Sequence, residues 1–329
     1  MRDLIQEVPR LVHHKDLKSD RSECWMRWHT VPLLRIFSLL VFSLLGTDAK
    51  ASLLAASPQA EGTAANPVNP LSLPPRSWAV DAGANELIAL HHTGSYLRYR
   101  MHVHDDKTDQ IRDVIESKDG TVARLIMKEG RPLTEAEDKA ERGRLDAMVA
   151  APADYFKHVK NEESGRKIAD SLIRLMPDAM IYTYTPDQPQ SGTNHGALEI
   201  VMDYAPNPKW KPPTTTSAAL TGLKGRMWID AKTRQLTRME GTVFQGVNFG
   251  WGMLAHIYPG GKLMLEQTDA GGQRWIFTHF TQQVTVRALM VKTLNIHSNV
   301  EAQDFQAMSP TMTYQEAVKI LLNTPLPTH

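Results

Sequence analysis

The stretch LRYRMHVHDDKTDQIRDVIESKDGTVARLIMK, residues 97–128, decides the fold of this chain. Its first nine residues alternate apolar with charged or histidine side chains, a period of two that is typical of a β-strand with one apolar face and one polar face. Two further apolar runs follow, and the turn sequences Asp105-Asp106-Lys107 and Lys118-Asp119-Gly120 separate the three runs. Turns of this composition join antiparallel strands. The segment therefore predicts a three-stranded antiparallel meander.

The period changes to that of helices directly after this meander. Thr134 and Glu137 have the spacing of a capping box, which predicts an amphipathic helix from there to about Val149. Pro152 interrupts the pattern, and two more helical stretches follow, the second of them between Gly165 and Met176. Because proline cannot continue a helix at no cost, we expect Pro177 to end the last stretch.

Shorter helices are predicted near both ends of the folded region. Asp81 is the expected N-cap of a helix that carries Leu87 and Leu90 and ends at Gly94. A second capping box, Thr313 and Glu316, begins a C-terminal helix.

The remainder of the chain has the pattern of antiparallel strands joined by short turns. They are predicted at 180–184, 198–204, 226–230, 235–244, 251–258, 262–268, 275–285 and 291–297. A sheet of about ten twisted strands curls, and helices bury their apolar stripes against a sheet face. The predicted fold class is therefore α+β: a large curved antiparallel sheet, or half-barrel, with a helical insertion at 134–176 that covers its concave face.

Residues 26–51 have the composition of a secretory signal peptide. Two arginines precede an apolar run of about ten residues, which is too short to span a membrane, and Ala49 and Ala51 then provide a cleavage site. We expect Met26 to be the true start and 1–25 to be a spurious extension. Residues 52–77 are rich in Ala and Pro and are predicted to form a disordered tether before a domain at 78–308 and a helix and tail at 309–329. The predicted location is the periplasm or cell envelope.

Composition narrows the function further. The chain has a formal net charge of +1, which argues against a nucleic-acid partner. Its single cysteine, Cys24, precedes the predicted start, so the mature protein has no disulfide framework and no thiolate chemistry. No cofactor motif is present, and we predict none. The sequence indicates a membrane-proximal but soluble protein and leaves its oligomeric state open.

The segment MWIDAKTRQLTRMEG, residues 227–241, resembles the strand–turn–strand motif of the exported lipoprotein-carrier superfamily, the LolA/LolB-like proteins. The order of elements, from signal peptide to short helix, three strands, helices and a run of strands, is similar as well. The resemblance implies non-enzymatic binding of acyl chains or lipoproteins, with Asp230 and Thr233 in the turn. The Pro/Thr-rich loop at 206–225 and the long tether differ from the carriers, so a general lipid- or envelope-component-binding role is the expectation.

Large side chains on the later strands are the predicted ligand-binding residues. Aromatic rings bury large apolar areas, and methionines adapt to irregular apolar ligands. A half-barrel lined by such residues has room for an acyl chain, although ordinary core packing explains them equally well. The predicted set is Trp228, Phe244, Trp251, Met253, Trp275 and Phe277.

Two alternatives remain open at this point. His102 and His104 point the same way from a strand and are weak candidates for a metal site, which would make the protein an exported metal-dependent hydrolase. The flanking Arg98 and Arg100 oppose a cation there. The second alternative is a structural envelope module that binds another protein through the loop at 206–225.

Four carboxylates of the second half fall on different strands or turns. For these we expect ion-pairing or turn-forming roles rather than an acid–base pair, because such a pair needs a defined separation in space. The four are Asp230, Glu240, Glu266 and Asp269.

Overall fold

One antiparallel sheet of fourteen strands dominates the computed structural model, which describes residues 70–191, 197–249, 254–288 and 291–328. The helices are α1 (Pro75–Leu90), α2 (Glu135–Ala150), α3 (Ala153–Ala179) and α4 (Tyr314–Asn323), with short 3₁₀ helices at Pro70–Ser72 and Thr216–Gly222. The strands are β1 (Leu97–Asp105), β2 (Asp109–Ser117), β3 (Gly120–Lys128), β4 (Arg131–Pro132), β5 (Met180–Tyr184), β6 (Gln190–Ser191), β7 (Leu198–Pro206), β8 (Leu223–Asp230), β9 (Leu236–Val243), β10 (Val247–Phe249), β11 (Ala255–Ile257), β12 (Lys262–Asp269), β13 (Trp275–Ala288) and β14 (Lys292–Ala307).

The strands follow the order β4-β3-β2-β1-β14-β13-β12-β9-β8-β7-β5, and the sheet does not close on itself. Short β6 pairs with β7, and the β10–β11 hairpin joins β13. The first long strand thus lies beside the last one, since His102 of β1 is opposite Glu301 of β14. The predicted class, α+β with a large curved antiparallel sheet, is confirmed.

The predicted meander is confirmed, with hairpin turns where the sequence placed them. Val114 and Ala123 are opposite each other across β2 and β3, and Ser117 is opposite Gly120. Gly120 has a φ of +126°, and a Cβ there would lie 2.6 Å from the Val159 side chain of α3. The turn therefore requires glycine both for its backbone angle and for the close approach of the helix.

Both predicted capping boxes are present. The Thr134 hydroxyl accepts from the Glu137 backbone N–H, the Glu137 carboxylate accepts from the Thr134 backbone N–H, and Thr313 and Glu316 do the same at α4. Two other helix boundaries differ from the prediction. Helix α1 begins at Pro75, so Asp81 lies inside it rather than at its N-cap.

Helix α3 is one continuous helix of 27 residues, where the sequence predicted two stretches that end before Pro177. Gly165 is buried inside it, and Pro177 lies near its end. Glycine at 165 is tolerated because this face of the helix is buried against its neighbours, and packing outweighs intrinsic propensity.

Helices pack on both faces of the sheet. Trp78 of α1 and Leu172 of α3 are buried against Met202 and Met227 on one face, which we call the α1–α3 face. At the meander end, Leu145 of α2 and Leu321 of α4 are buried in a cluster that contains Ile115 and Val122. Successive strand residues point to opposite faces. Tyr99 and Val114 are opposite each other and share one face, so Ile115 points to the other, where its cluster also contains Tyr155 from the start of α3.

The loop at 206–225 is part of the fold rather than an open flap. Its 3₁₀ helix buries Ser217, Ala219 and Leu220, and Ala219 packs with Val243 and Phe249 in a separate apolar cluster. Among the helices that the structure describes, none combines the length and the apolar character needed to cross a bilayer. The predicted leader, extension and most of the tether, residues 1–69, lie outside the described residues.

Candidate functional site

An open groove of about 620 Å³ runs across strands β5, β7, β8 and β9. Met227 and Met239 of these strands are opposite each other and face the helices. The residues next to them in sequence, Arg226 and Trp228 of β8 and Glu240 of β9, therefore point to the opposite face, where they line the groove. At this end of the sheet the groove faces away from α1 and α3.

Two ion pairs run across the floor of the groove. Arg226 holds Asp203 with two hydrogen bonds, from Nε at 2.7 Å and from Nη2 at 3.2 Å, and this raises the pKa of the guanidinium above its ordinary value. Arg238 holds Glu240 and also donates to Glu266 at 2.6 Å. Both groove carboxylates are thus held by guanidinium groups. The predicted ion-pairing roles of Glu240 and Glu266 are confirmed.

The groove also presents apolar surface and one cation without a carboxylate partner. Trp228 lies with one face 5.3 Å from the Arg238 guanidinium, and Ile181, at the open edge of the sheet, is 51% exposed. Lys224 Nζ lies 5.4 Å from the centre of the Phe244 ring. Within the described ranges, no carboxylate oxygen comes within 4 Å of Lys224, whereas Arg226 and Arg238 are both paired.

Two glycines lie in the strands beneath the middle of the groove. Gly225 and Gly241 are opposite each other, and a Cβ on Gly225 would lie 1.9 Å from the Glu240 carbonyl oxygen and 2.8 Å from the Tyr204 hydroxyl. Tyr204 uses that space to donate a hydrogen bond to the same carbonyl at 2.8 Å. The glycine pair therefore lets a buried tyrosine tie β7 to β9 across β8 beneath the groove.

A second cluster of functional groups lies near the end of α1, and no pattern in the sequence marks it. Glu116 is fully buried, accepts a hydrogen bond from the Leu97 backbone N–H at 3.0 Å, and lies 3.2 Å from Nη2 of buried Arg274. His92 Nε2 is 3.7 Å from the same carboxylate. A cavity of about 140 Å³, lined in part by His92, Arg274 and Trp275, adjoins this cluster. Its size suits a few ordered water molecules.

A buried acid of α3, a buried tyrosine and a partly buried acid of α1 extend this polar region. Burial raises the pKa of Glu162 and raises that of Tyr99 well above its ordinary value. His158 contacts Glu162 at 2.9 Å. On α1, burial raises the pKa of Glu86 to about 7, although a hydrogen bond from Gln267 opposes the rise. Nothing in a period-two or helical pattern distinguishes these acids from surface ones, so sequence reasoning missed them.

The four predicted ligand-binding residues that the structure describes do not line one common cavity. Trp275 and Phe277 are buried on the α1–α3 side, 7% and 1% exposed. Trp228 and Phe244 lie on the other side of the sheet, and only Trp228 lines the groove. Trp251 and Met253 lie outside the described residues.

The remaining sequence candidates have defined contacts. His102 Nε2 lies 2.6 Å from an Asp109 carboxylate oxygen, and no group of three or more potential metal-ligating side chains occurs in the part of the chain that the structure describes. Asp230 accepts hydrogen bonds from the backbone N–H groups of Lys232 and Thr233 and from the Thr233 hydroxyl, which confirms its predicted place in the turn. Asp269 accepts from the Gly271 backbone N–H, also in a turn.

Comparison of the chain with protein-family models, with curated proteins and with solved structures finds no match. The resemblance to the LolA/LolB-like carriers therefore stays a prediction from the sequence. The groove and the buried polar cluster are therefore identified from the residues of this chain, and not from a relative.

Proposed function

We propose that this protein is an exported, non-enzymatic binding protein of the cell envelope, and that the groove across β5, β7, β8 and β9 holds an amphipathic, anionic, lipid-like ligand. The observation that carries the proposal is the combination of half-buried Trp228 and exposed Ile181 with a cation, Lys224, that has no carboxylate partner within the described ranges. The envelope location rests on the leader sequence at 26–51.

The size of the groove supports a small-molecule ligand. Its volume of about 620 Å³ lies within the range of about 300–1,000 Å³ that is usual for ligand pockets. Apolar and charged groups both line it, with the row of Asp203, Arg226 and Glu240 between Trp228 and Lys224. Ile181, Ala205 and Trp228 offer apolar contact to a hydrocarbon chain, while the Lys224 ammonium offers its charge to an anionic head group.

The ion pairs support binding rather than chemistry. Asp203 and Glu240 are each bound by an arginine and are therefore fixed in place. Their carboxylates disfavour an anionic group in their part of the groove. Their arginines are likewise neutralised. Lys224 is therefore the position at which an anionic ligand gains the most binding free energy.

Titration with dodecanoate, followed by tryptophan fluorescence and by native mass spectrometry, tests the proposal. We expect Trp228→Ala to abolish most of the fluorescence change and Lys224→Gln to weaken binding about fivefold, since a partly exposed ion pair contributes on the order of 1 kcal/mol. Trp275→Phe is the matched control, because Trp275 lies on the opposite side of the sheet.

Two results would contradict the proposal that the groove binds an anionic ligand. If Trp275→Phe weakens binding and Trp228→Ala does not, the ligand lies on the helix-covered side. If dodecanol binds as tightly as dodecanoate and Lys224→Gln changes neither, the groove does not recognise a negative charge.

A further inference from the structure

Two lysines lie on either side of one threonine on the face of the sheet that carries the groove. Thr242 of β9 is opposite Lys224 of β8 on one side and opposite Lys262 of β12 on the other. Residues directly opposite each other on neighbouring strands share a face, so the three side chains point the same way. Because neighbouring strands lie about 4.8 Å apart, the two lysine backbones are separated by roughly 10 Å. We call Lys224, Thr242 and Lys262 the two-lysine site.

Both lysines of this site are available to a ligand. Lys224 and Lys262 are exposed. Among the residues that the structure describes, carboxylate oxygens lie within 4 Å of Lys128 and Lys167 but of neither lysine of the site. Two positive charges therefore flank Thr242 with no anion of the fold to neutralise them.

The surroundings of the site contain few acids. No aspartate or glutamate occurs in residues 241–265 or in residues 270–300, which include the start of β12 and all of β13. Glu240, two residues before Thr242 on β9, is bound by Arg238. On the far side of Lys262, the opposite residue of β13 is exposed Gln283, whose amide is neutral. The charge pattern thus favours an anion above Thr242.

We propose that the two-lysine site binds a phosphate monoester, and that this group is the head group of the ligand in the groove. A phosphate monoester carries a charge of about −1.5 to −2 at pH 7 and has three strong acceptor oxygens. Two ammonium groups and a hydroxyl match this charge and these acceptors. The long, flexible lysine side chains can both turn towards a group above Thr242. A carboxylate carries a single charge, so Lys224 alone can neutralise it.

The hydrocarbon part of such a ligand has an apolar path on the other side of Lys224, and this step rests on the proposed function. Tyr204 is opposite Gly225, so the next residues along the two strands, Ala205 and Lys224, are neighbours. Ala205 is in turn opposite Ile181 at the open edge of the sheet, and both line the groove. A chain that runs from Lys224 over Ala205 to Ile181 does not cross the neighbouring row of ion-paired side chains.

Calorimetric titration of the full chain with dodecyl phosphate, dodecanoate and glycerol phosphate tests the proposal. We expect dodecyl phosphate to bind about fivefold more tightly than dodecanoate, because the second ammonium group adds a partly exposed ion pair. Lys262→Gln is expected to remove this preference, and Thr242→Val to weaken dodecyl phosphate about threefold. Glycerol phosphate has no hydrocarbon chain and is expected to bind tenfold more weakly or less tightly still.

Two variants serve as controls. Lys262→Arg keeps the positive charge and is expected to keep the preference for phosphate over carboxylate. Lys139→Gln removes an exposed lysine from α2, outside the sheet, and is expected to change neither affinity.

The three ligands separate the failure of this inference from the failure of the proposed function. Equal affinities of the unaltered chain for dodecyl phosphate and dodecanoate would overturn the two-lysine site and leave the groove with Lys224 alone. A preference for phosphate that survives in Lys262→Gln would overturn it as well. If glycerol phosphate binds as tightly as dodecyl phosphate and Lys262→Gln weakens both, the site takes a free phosphate monoester and the lipid-like ligand is wrong. No binding of any of the three contradicts both proposals.

Discussion

The buried ion pair of Glu116 and Arg274 differs from the surface ion pairs in the free energy that is lost when one partner is removed. Both side chains are almost fully buried, 0% and 3% exposed, and Arg274 also donates to the carbonyl oxygens of Ser95 and Trp275. Removal of one partner leaves an uncompensated charge in a medium that solvates it poorly. The pair therefore constrains how β2, the start of β13 and the end of α1 meet.

We expect Arg274→Met to lower the free energy of unfolding by about 3–5 kcal/mol, because Glu116 would lose its principal charged partner. Arg174→Met, which removes an arginine that is 59% exposed and paired with Asp170, is expected to cost less than about 1 kcal/mol. Urea denaturation of both variants measures the difference. Similar losses in the two would show that burial does not set the cost.

Glu86 gives the stability a pH dependence of known sign. Its pKa is raised from 4.5 to about 7 in the folded protein, so the folded state binds the proton more tightly than the unfolded state does. The stabilisation from this group is complete below pH 4.5 and is lost as pH rises through 7. Glu86→Gln is expected to flatten the change in unfolding free energy over this window by on the order of 1 kcal/mol. Urea midpoints at successive pH values measure it, and an unchanged slope would contradict it.

Helix α2 depends on its capping box more than on its apolar face, since only Leu145 is fully buried among its sixteen residues. Thr134→Ala is expected to cost about 1 kcal/mol of unfolding free energy because the Glu137 backbone N–H loses its acceptor. Thr134→Ser keeps the hydroxyl and is expected to cost much less. Thermal denaturation of both variants tests this, and equal losses would argue against the cap.

Two glycines test how tightly the elements are packed. A Cβ on Gly143 of α2 meets no atom within 4 Å, so Gly143→Ala is expected to stabilise the protein by about 0.5–1 kcal/mol. On Gly225 a Cβ would overlap the Glu240 carbonyl oxygen, and Gly225→Ala is expected to destabilise by about 3 kcal/mol or more as β8 and β9 separate. Urea denaturation is expected to show a raised free energy of unfolding for Gly143→Ala and a lowered one for Gly225→Ala. A neutral Gly225→Ala would show that the two strands adjust freely.

The elements that the sequence predicted best are those with local causes. The meander follows from alternation and turns, and the starts of α2 and α4 follow from threonine–glutamate spacing, all within a few residues of one another. The continuous helix α3 could not be predicted locally, because Gly165 and Pro177 are unfavourable by themselves and only the packing of Leu172 and Ala169 against the sheet outweighs them.

The candidate site was less predictable than the fold. Trp228 was expected to share a cavity with Trp275, yet the two rings lie on opposite sides of the sheet. Which side a strand residue faces depends on register and on irregularities such as the one between Trp228 and Ile229, which no residue pattern reveals. The ion pairs Arg226–Asp203 and Arg238–Glu266 likewise join residues brought together only by strand pairing.

At the scale of the whole molecule, the pairing of β1 with β14 governs how the fold is assembled. These strands share eight opposed residue pairs, and the first part of β14, Lys292–Glu301, pairs with β13 on its other edge. Contacts between residues so distant in sequence impose a large loop-closure entropy and slow folding. The centre of the sheet is thus completed by the late strands β13 and β14.

The late position of β14 in the chain limits when the complete sheet can form. Until residue 307 has left the ribosome, β1 has no partner on one side, and the meander cannot join the rest of the sheet. The meander therefore keeps one unpaired strand edge for as long as residues 106–307 are being synthesised.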